Sequence, residues 1–267
     1  MLLCGPMVIH CMDVKPGMEV ACLTDVGRQR ENNEDSCLYW EPQDKAEFLR
    51  KGRLAVIADG MGGYEGGQEA SRLAVETVRE VYDKAFDNSP HLALVKAFAS
   101  AHERIQSYAE THPELRGMGT TCTALVIRGY ELYFAHVGDS RLYLIRGSVL
   151  SRLTRDHSYV GRLVENGIVR PEDAESHPQR HILTAALGSG NEVAADVSQQ
   201  PVPLQASDTL VLCTDGLWGV VNEREIVSAV NEFDPEQCCR ALVNKALERG
   251  GPDNITVQVI RVGAETD

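Results

Sequence analysis

Segments with strand character and segments with helix character occur in blocks along this 267-residue chain rather than in strict alternation. Two strand-like runs, MEVACLTD and DSCLYW, precede the apolar run RLAVIAD, and two long amphipathic segments follow it. Short β-rich runs separated by turn residues come next, and such short connections are typical of antiparallel hairpins. A further buried strand, two helices and a last strand, NITVQVIRV, complete the pattern. This order favours an α+β fold, with antiparallel sheets covered by helices, over a doubly wound parallel sheet.

The amphipathic segments have the apolar spacing of helices. In GGQEASRLAVETVREVYDKAF the apolar residues recur three and four positions apart, which predicts a helix with one buried face. The next segment begins with Ser89 as a predicted cap and Pro90 at the first helical position. The sequence also predicts helices near residues 223–231 and 235–249, and a helix from a cap at Asp156 to Asn166.

Length and composition limit the classes of protein to which the chain can belong. Apolar residues make up 43% of it, enough for a large core, and no apolar run approaches the roughly 20 residues of a membrane helix. The first residues lack the basic flank and cleavage site of a signal peptide, so we expect a cytoplasmic protein. We predict a flexible tail over residues 1–17 and a single domain over residues 18–267.

Cysteine usage and net charge exclude further classes. None of the eight cysteines forms a CxxC pair, so a zinc site or a thioredoxin-like motif is not indicated, and we expect reduced thiols. The formal net charge of −13 argues against general binding to nucleic acid or to a membrane surface. It is compatible with a solvated acidic surface and with carboxylates that converge on cations.

Acidic residues recur at the ends of the predicted strands. Asp59 and Asp215 each end a buried strand and are followed by glycine. Asp139 follows a third strand, whereas Glu34, Asp35 and Asp253 lie just before strands. Any single Asp-Gly is usually only a turn, and Asp139 taken alone would be a hairpin residue. The repetition, in particular the two buried strands that both end in Asp-Gly, indicates a common site.

Carboxylates gathered in one place repel one another unless protons or cations neutralise them. Hard oxygen ligands suit Mg²⁺ or Mn²⁺, and a glycine-rich loop allows backbone carbonyls to approach an ion. The pattern therefore indicates two-metal hydrolysis, in which two ions lower the pKa of a water and offset charge on a phosphoryl group.

Seven motifs together resemble the metal-dependent protein phosphatases of the protein phosphatase 2C type, in their bacterial single-domain form. In chain order they are TDVGRQRENNEDS, VIADGMGG, GMGTTCTALVI, AHVGDSRLYLIR, LTRDHS, LVLCTDGLW and GGPDNITVQVI. The resemblance implies a four-layer α-β-β-α sandwich, in which two antiparallel sheets pack face to face with helices outside. It also implies a small flap at about residues 155–195.

The resemblance assigns roles to individual residues. Asp59 would bridge two catalytic ions, the Gly60 carbonyl would bind one of them, and Asp215 and Asp253 would complete the shell of the other. Arg30 would bind the substrate phosphate. Arg30 and Asp59 are the predicted catalytic residues. Asp139 and Asp215 would bind a third, weaker ion. The predicted metal ligands are therefore Glu34, Asp35, Asp59, Gly60, Asp139, Asp215 and Asp253.

The chain departs from the family pattern at several positions. Met61 stands where animal members have a histidine thought to protonate the leaving group, and Tyr64 stands where many bacterial members have a histidine. The general acid is therefore unassigned, with His157 and a metal-bound water as candidates. Gly219 replaces an acid that relatives often carry.

The implied activity is hydrolysis of phosphoserine and phosphothreonine in proteins, with Mn²⁺ or Mg²⁺ as cofactor. The implied partners are phosphorylated proteins made by a Ser/Thr kinase, and the expected state is a monomer without nucleic-acid or membrane partners. Two alternatives stay open: a catalytically weak regulator that binds phosphoproteins, and a phosphatase for small phosphoesters. Turnover of phosphopeptides compared with small phosphoesters distinguishes them.

Overall fold

Thirteen strands and eight α-helices make up the part of the chain that the computed structural model describes, which is residues 8–11, 15–62, 65–85, 89–174, 177–193 and 195–264. The strands are β1 (Val8–Cys11), β2 (Met18–Asp25), β3 (Asp35–Trp40), β4 (Arg53–Met61), β5 (Gly119–Thr120), β6 (Cys122–Arg128), β7 (Glu131–Val137), β8 (Arg141–Arg146), β9 (Val149–Arg152), β10 (Asp196–Val197), β11 (Val202–Pro203), β12 (Thr209–Cys213) and β13 (Ile255–Val262). The helices are α1 (Lys45–Lys51), α2 (Gly66–Lys84), α3 (Pro90–Thr111), α4 (Tyr159–Glu165), α5 (Pro171–Ala174), α6 (Asp215–Trp218), α7 (Glu223–Glu232) and α8 (Pro235–Glu248).

The strands form two antiparallel sheets. The first sheet has the order β1-β2-β13-β12-β8-β9. The second has the order β10-β7-β6-β4-β3, with β11 paired to β7 and β5 paired to β4. The prediction of antiparallel sheets in an α+β fold is confirmed.

Three apolar clusters hold the layers together. One fills the gap between the sheets and includes Ile57, Leu125 and Leu212. A second joins α2 and α3 to the outer face of the second sheet, and a third joins α7 and α8 to the outer face of the first. The order of layers is therefore α-β-β-α, as expected, because alternate residues of the central strands point to the opposite sheet and to the helices.

Helix starts follow local capping chemistry. The Ser89 hydroxyl accepts a hydrogen bond from the Leu92 amide at 3.4 Å, which confirms the predicted start of α3. The predicted cap at Asp156 is wrong, because Ser158 caps α4 by accepting from the Gly161 amide at 3.0 Å. The Asp156 carboxylate instead accepts hydrogen bonds from the buried Arg141. Because the guanidinium is charged, it is a stronger partner for the carboxylate than a backbone amide would be.

Two further differences from the sequence prediction concern the first 51 residues. Within the tail predicted over residues 1–17, residues Val8–Cys11 form β1 and pair with β2. Backbone hydrogen bonding at a sheet edge depends little on side-chain pattern, so the sequence contains no clear signal for this strand. Helix α1 was not predicted, since its seven residues are too few to show a helical period. In the described residues, no helix has both the length and the apolar character required to span a bilayer.

Candidate active site

Strand ends from both sheets meet at one side of the sandwich and surround a cavity of about 820 Å³. The segment predicted as a flap supplies another wall, through residues that include His181, Leu183 and Ser189. The predicted site residues that line this cavity are Arg30, Glu34, Asp59, Gly60, Asp139, Asp215 and Asp253. Asp35 is the predicted ligand that does not line it.

Backbone contacts fix Asp59 at the end of β4. The Asp59 amide donates to Thr121 Oγ1 at 2.9 Å, and the Asp59 carbonyl accepts from the Thr121 amide at 2.9 Å. Thr120 Oγ1 also donates to the Asp59 carbonyl, at 2.8 Å. Thr121 Oγ1 is 2.8 Å from Ser140 Oγ, next to Asp139. A threonine hydroxyl thus links the loops that carry two of the cavity carboxylates.

Close packing explains the glycine at position 60. The Gly60 amide donates to the Glu34 carbonyl at 3.1 Å, and a Cβ at Gly60 would collide with the Gly67 carbonyl oxygen at the start of α2. A Cβ at Gly67 would collide with the Glu34 carboxylate in turn. The strand end, the helix start and the Glu34 loop therefore approach at backbone contact distance, which leaves no space for side chains.

Asp35 lies beneath the cavity, opposite Asp59 in the β3–β4 register. Its Oδ2 accepts from Thr256 Oγ1 at 2.6 Å and from Thr214 Oγ1 at 2.9 Å. Its Oδ1 is buried without a hydrogen-bond partner among the described residues. Burial raises the pKa of this carboxyl to about 7, although the two threonine hydroxyls oppose that rise by stabilising the anion.

The electrostatics of the cavity favour a cation. Burial raises the pKa of Asp59 and of Asp139 well above the usual range, and the neighbouring carboxylates raise both further. Asp215 Oδ1 is also buried without a partner in the described part of the chain. Buried carboxylate oxygens that lack donors and repel one another are what divalent cations with oxygen ligands neutralise. The donor set therefore fits Mg²⁺ or Mn²⁺.

Side chains alone do not form a complete cage. In the ranges that the structure describes, no group of three His, Cys, Asp or Glu side chains is arranged to hold an ion. Binding of an ion to these carboxylates therefore requires additional oxygens, from backbone carbonyls such as that of Gly60 and from water.

Arg30 lies at the rim of the cavity with its side chain 52% exposed. Its Nη2 donates to Asp253 Oδ2 at 2.8 Å, and this hydrogen bond raises the pKa of the guanidinium. Asp253 Oδ1 accepts from the Asn254 amide at 2.9 Å. The arginine predicted to bind phosphate and the aspartate predicted to bind metal are thus paired with each other, at the mouth of the site.

Asn254 is an organising residue that the sequence analysis missed. Its Oδ1 accepts from the Glu34 amide at 2.8 Å, and its Nδ2 donates to the carbonyls of Val26 and Asn32, both at 2.9 Å. It holds the loop of Arg30 and Glu34 against the start of β13. The asparagine in GGPDN was the available signal, because an asparagine amide can bridge two backbone segments.

His181 is a second residue that the sequence analysis missed. It lines the cavity, and its Nδ1 is 3.6 Å from Asp215 Oδ2. His157, the histidine singled out from the sequence, is not among the lining residues: its Nδ1 faces the Gly138 amide at 3.4 Å and its Nε2 lies 3.4 Å from Asp196. No local sequence pattern links His181 to the predicted metal ligands, so only the fold reveals this contact.

The three departures from the family pattern have different positions. Met61 lines the cavity. Gly219 ends α6, and its amide donates to the Asp215 carbonyl at 2.8 Å. Tyr64 lies outside the described residues.

The chain is similar to known proteins over most of its length. The model of the family described as protein phosphatase 2C matches residues 27–254. The serine/threonine protein phosphatase PstP of Mycobacterium tuberculosis is 36% identical over 245 residues, which are 92% of this chain and 45% of that protein, so the chain spans less than half of this relative. The serine/threonine phosphatase stp of Listeria innocua is 37% identical over 242 residues, which are 89% of this chain and 93% of that protein.

The same similarity holds in three dimensions. The solved catalytic domain of PstP, in complex with two manganese ions, superposes with a TM-score of 0.80 at 33% identity. The match covers 93% of this chain and 99% of that domain.

Proposed function

This chain belongs to the protein phosphatase 2C family, and we propose that it hydrolyses phosphoserine and phosphothreonine in proteins with Mn²⁺ or Mg²⁺ as cofactor. The observation that carries the proposal is the single cavity that gathers four aspartates, Glu34 and the Gly60 backbone, with an arginine at its rim. Such a cavity offers oxygen ligands for cations and a guanidinium for a phosphate in the same place.

We assign the cation ligands as follows. Asp59 would bridge two ions, with Gly60 completing one shell and Asp215 and Asp253 the other. When bound, the ions supply Lewis-acid chemistry: they lower the pKa of a water and offset negative charge on the phosphoryl group. Asp35 is 8% exposed and accepts hydrogen bonds from two threonines, so we assign it an indirect role beneath the site.

Glu34 and Asp139 complete this assignment. Glu34 would act near the ions, partly through water. Asp139, together with the Asp215 carboxylate, would bind a third, weaker ion, a role supported by its burial and by its raised pKa beside Asp215.

We assign substrate contacts to residues at the mouth of the cavity. Arg30 is exposed enough to turn its planar guanidinium from Asp253 toward a phosphate, which it can bind through two N–H groups. His181 is the cavity-lining histidine of the described chain, and we assign to it the delivery of a proton to the departing serine or threonine oxygen.

The remaining assignments concern the protein in the cell. We propose that its substrates are proteins phosphorylated by a Ser/Thr kinase and that it acts as a cytoplasmic monomer. We also propose that residues 18–267 are one catalytic domain with a flap at residues 155–195. The flap contribution to the cavity wall supports a role of that segment in admitting substrate.

Turnover measurements test the function. With a phosphothreonine peptide and Mn²⁺ we expect hydrolysis that disappears in excess EDTA and falls at least about a hundredfold in Asp59→Asn. Asp44→Asn is a matched control, since Asp44 caps α1 and asparagine caps equally well. Full activity in EDTA contradicts the metal mechanism. Faster turnover of sugar or nucleotide phosphates would favour the small-phosphoester alternative, and binding of the peptide without turnover would favour the regulator.

A further inference from the structure

Two thiols face each other across the gap between the sheets. Cys22 is in β2 of the first sheet and Cys37 is in β3 of the second, and their Sγ atoms are 2.7 Å apart. Both are free cysteines. A disulfide bond is about 2.05 Å long, so the two sulfurs need to approach by less than about 1 Å to bond.

The position of this pair relates it to the candidate active site. Residues 23–36, which separate the two cysteines, include Arg30, Glu34 and Asp35. Cys37 is two residues after Asp35 in β3, so both side chains lie on the face of the strand that points toward the first sheet. A bond between Cys22 and Cys37 would close the base of the loop that carries these site residues.

We propose that Cys22 and Cys37 are a redox-modification site, in which hydrogen peroxide converts the thiol pair into a reversible disulfide that staples the two sheets together. The basis is the sulfur–sulfur contact between strands of different sheets. The staple stabilises the fold because it restricts the unfolded chain more than the native one, in which the sulfurs are already adjacent.

The chemistry balances with peroxide as the oxidant. Cys37, which is the more exposed of the two thiols, attacks one peroxide oxygen, and the O–O bond breaks to give a sulfenic acid and water. The Cys22 sulfur then attacks the sulfenic sulfur, the S–S bond forms, and the hydroxyl leaves as a second water. Two thiols lose two electrons in total, and one peroxide gains them.

The other described cysteines are placed differently. Cys238 and Cys239 are neighbours in α8, where the Cys239 thiol donates to the Ala21 carbonyl at 3.6 Å on the helix side of the first sheet. Cys122 lies in the cluster between the second sheet and its helices, and Cys213 lies in the cluster between the first sheet and its helices. The contact between Cys22 and Cys37 therefore makes this pair the expected site of bond formation.

Oxidation of the whole chain tests the proposal. The protein is treated with hydrogen peroxide, free thiols are blocked with N-ethylmaleimide, and peptides are mapped by mass spectrometry without reduction. We expect a Cys22–Cys37 cross-linked peptide, an intact mass, measured before alkylation, 2 Da below that of the untreated chain, and a rise in Tm of about 5–10 °C, all reversed by dithiothreitol. In Cys37→Ser the bond and the rise in Tm should be absent, whereas Cys122→Ser should retain both.

Three results would overturn the proposal. The first is alkylation of both Cys22 and Cys37 after peroxide treatment, and the second is a bond mapped to other cysteines. The third is a Cys22–Cys37 bond that leaves Tm unchanged, because such a bond would not stabilise the fold. Because mapping of the wild-type chain suffices for the first two, the test does not depend on the stability of the variants. Phosphatase activity is not its readout, so failure of the proposed function leaves the test valid.

Discussion

The Arg30 guanidinium, bonded to Asp253 at the mouth of the cavity, is within reach of both the acidic site and an incoming phosphate. Arg30→Lys keeps the positive charge and removes the planar fork. We expect kcat/KM for a phosphothreonine peptide to fall by the equivalent of about 1–3 kcal/mol, the worth of a charge-assisted hydrogen bond. Arg116→Lys, at an exposed position after α3, is the matched control. Kinetics equal to those of the unmodified chain would leave Arg30 as a surface charge.

Asp139 is buried, and the Trp218 indole donates to its backbone carbonyl at 3.0 Å. Asp139→Asn keeps that backbone contact and suits the same turn. We expect two strong metal sites to remain, a weaker one to disappear, and kcat to fall at least about tenfold. Calorimetric metal titration together with kcat checks this. A normal kcat would reduce Asp139 to a turn residue, and slow turnover with unchanged stoichiometry would indicate an electrostatic role.

His181 offers a test of proton delivery. His181→Gln removes the imidazole while keeping a polar side chain, so we expect kcat to fall about a hundredfold on a phosphothreonine peptide. The loss should be much smaller on a phosphoester with an acidic phenol as leaving group, since that group departs without a proton. Equal losses on the two substrates would contradict the assignment. His177→Gln, at a flap position outside the cavity lining, is the control.

At the scale of elements, the approach of β4 to α2 is the feature that a single methyl group can disrupt. In Gly60→Ala the new Cβ would meet the carbonyl oxygens of Gly67 and Glu34, which belong to the backbone and cannot turn aside. We expect a loss of stability of about 1–3 kcal/mol, as in other overpacked sites, with a loss of metal affinity. Urea unfolding and calorimetry measure the two effects.

Gly129→Ala is the comparison for that change. Gly129 has a φ of 60°, and a Cβ added there would meet no neighbouring atom. Alanine at this position should therefore lower stability only through the unfavourable left-handed backbone. Its metal affinity and turnover should stay normal. If Gly60→Ala behaved in the same way, the tight packing of β4 on α2 would have no role in the site.

The elements also show where sequence periodicity was sufficient. Helices α2, α3, α7 and α8 each have many residues and a clear apolar face, so the pattern located them well. In the predicted flap, the sequence indicated one helix, with Asp156 as its cap. Helix α4 is capped by Ser158 rather than by Asp156, because the Asp156 carboxylate is paired with Arg141.

At the scale of the whole molecule, the buried carboxylates couple stability to pH and to metal. The pKa of Asp35 is raised from its usual 3.8 to about 7, and those of Asp59 and Asp139 are raised as well. Above pH 4 the folded chain therefore holds protons that the unfolded chain has lost, so these groups make stability fall as pH rises toward and through 7. His136 has the opposite effect on stability. Burial lowers its pKa from 6.5 to about 4, so between these two pH values the unfolded chain holds a proton that the folded chain has lost, and stability rises with pH.

We therefore expect Tm in EDTA to fall between pH 6.5 and pH 8. Added Mn²⁺ should raise Tm more at pH 8 than at pH 6.5, because metal ligands must be ionised. Scanning calorimetry at the two pH values, with EDTA and with Mn²⁺, checks both statements. A Tm that rises with pH in EDTA would contradict the raised pKa values.

The sequence by itself determined the fold class and singled out the acidic residues that, apart from Asp35, line the cavity. Apolar periodicity records which face of each element is buried, and aspartates that follow buried strands must lie at sheet ends. The tertiary structure decided how these residues are arranged, for two reasons. Asp35 sits beneath the cavity because its strand turns it toward Thr256 of the opposite sheet and toward Thr214, which follows β12. His181 and Asn254 join the site through contacts between segments distant in the chain, which no local pattern encodes.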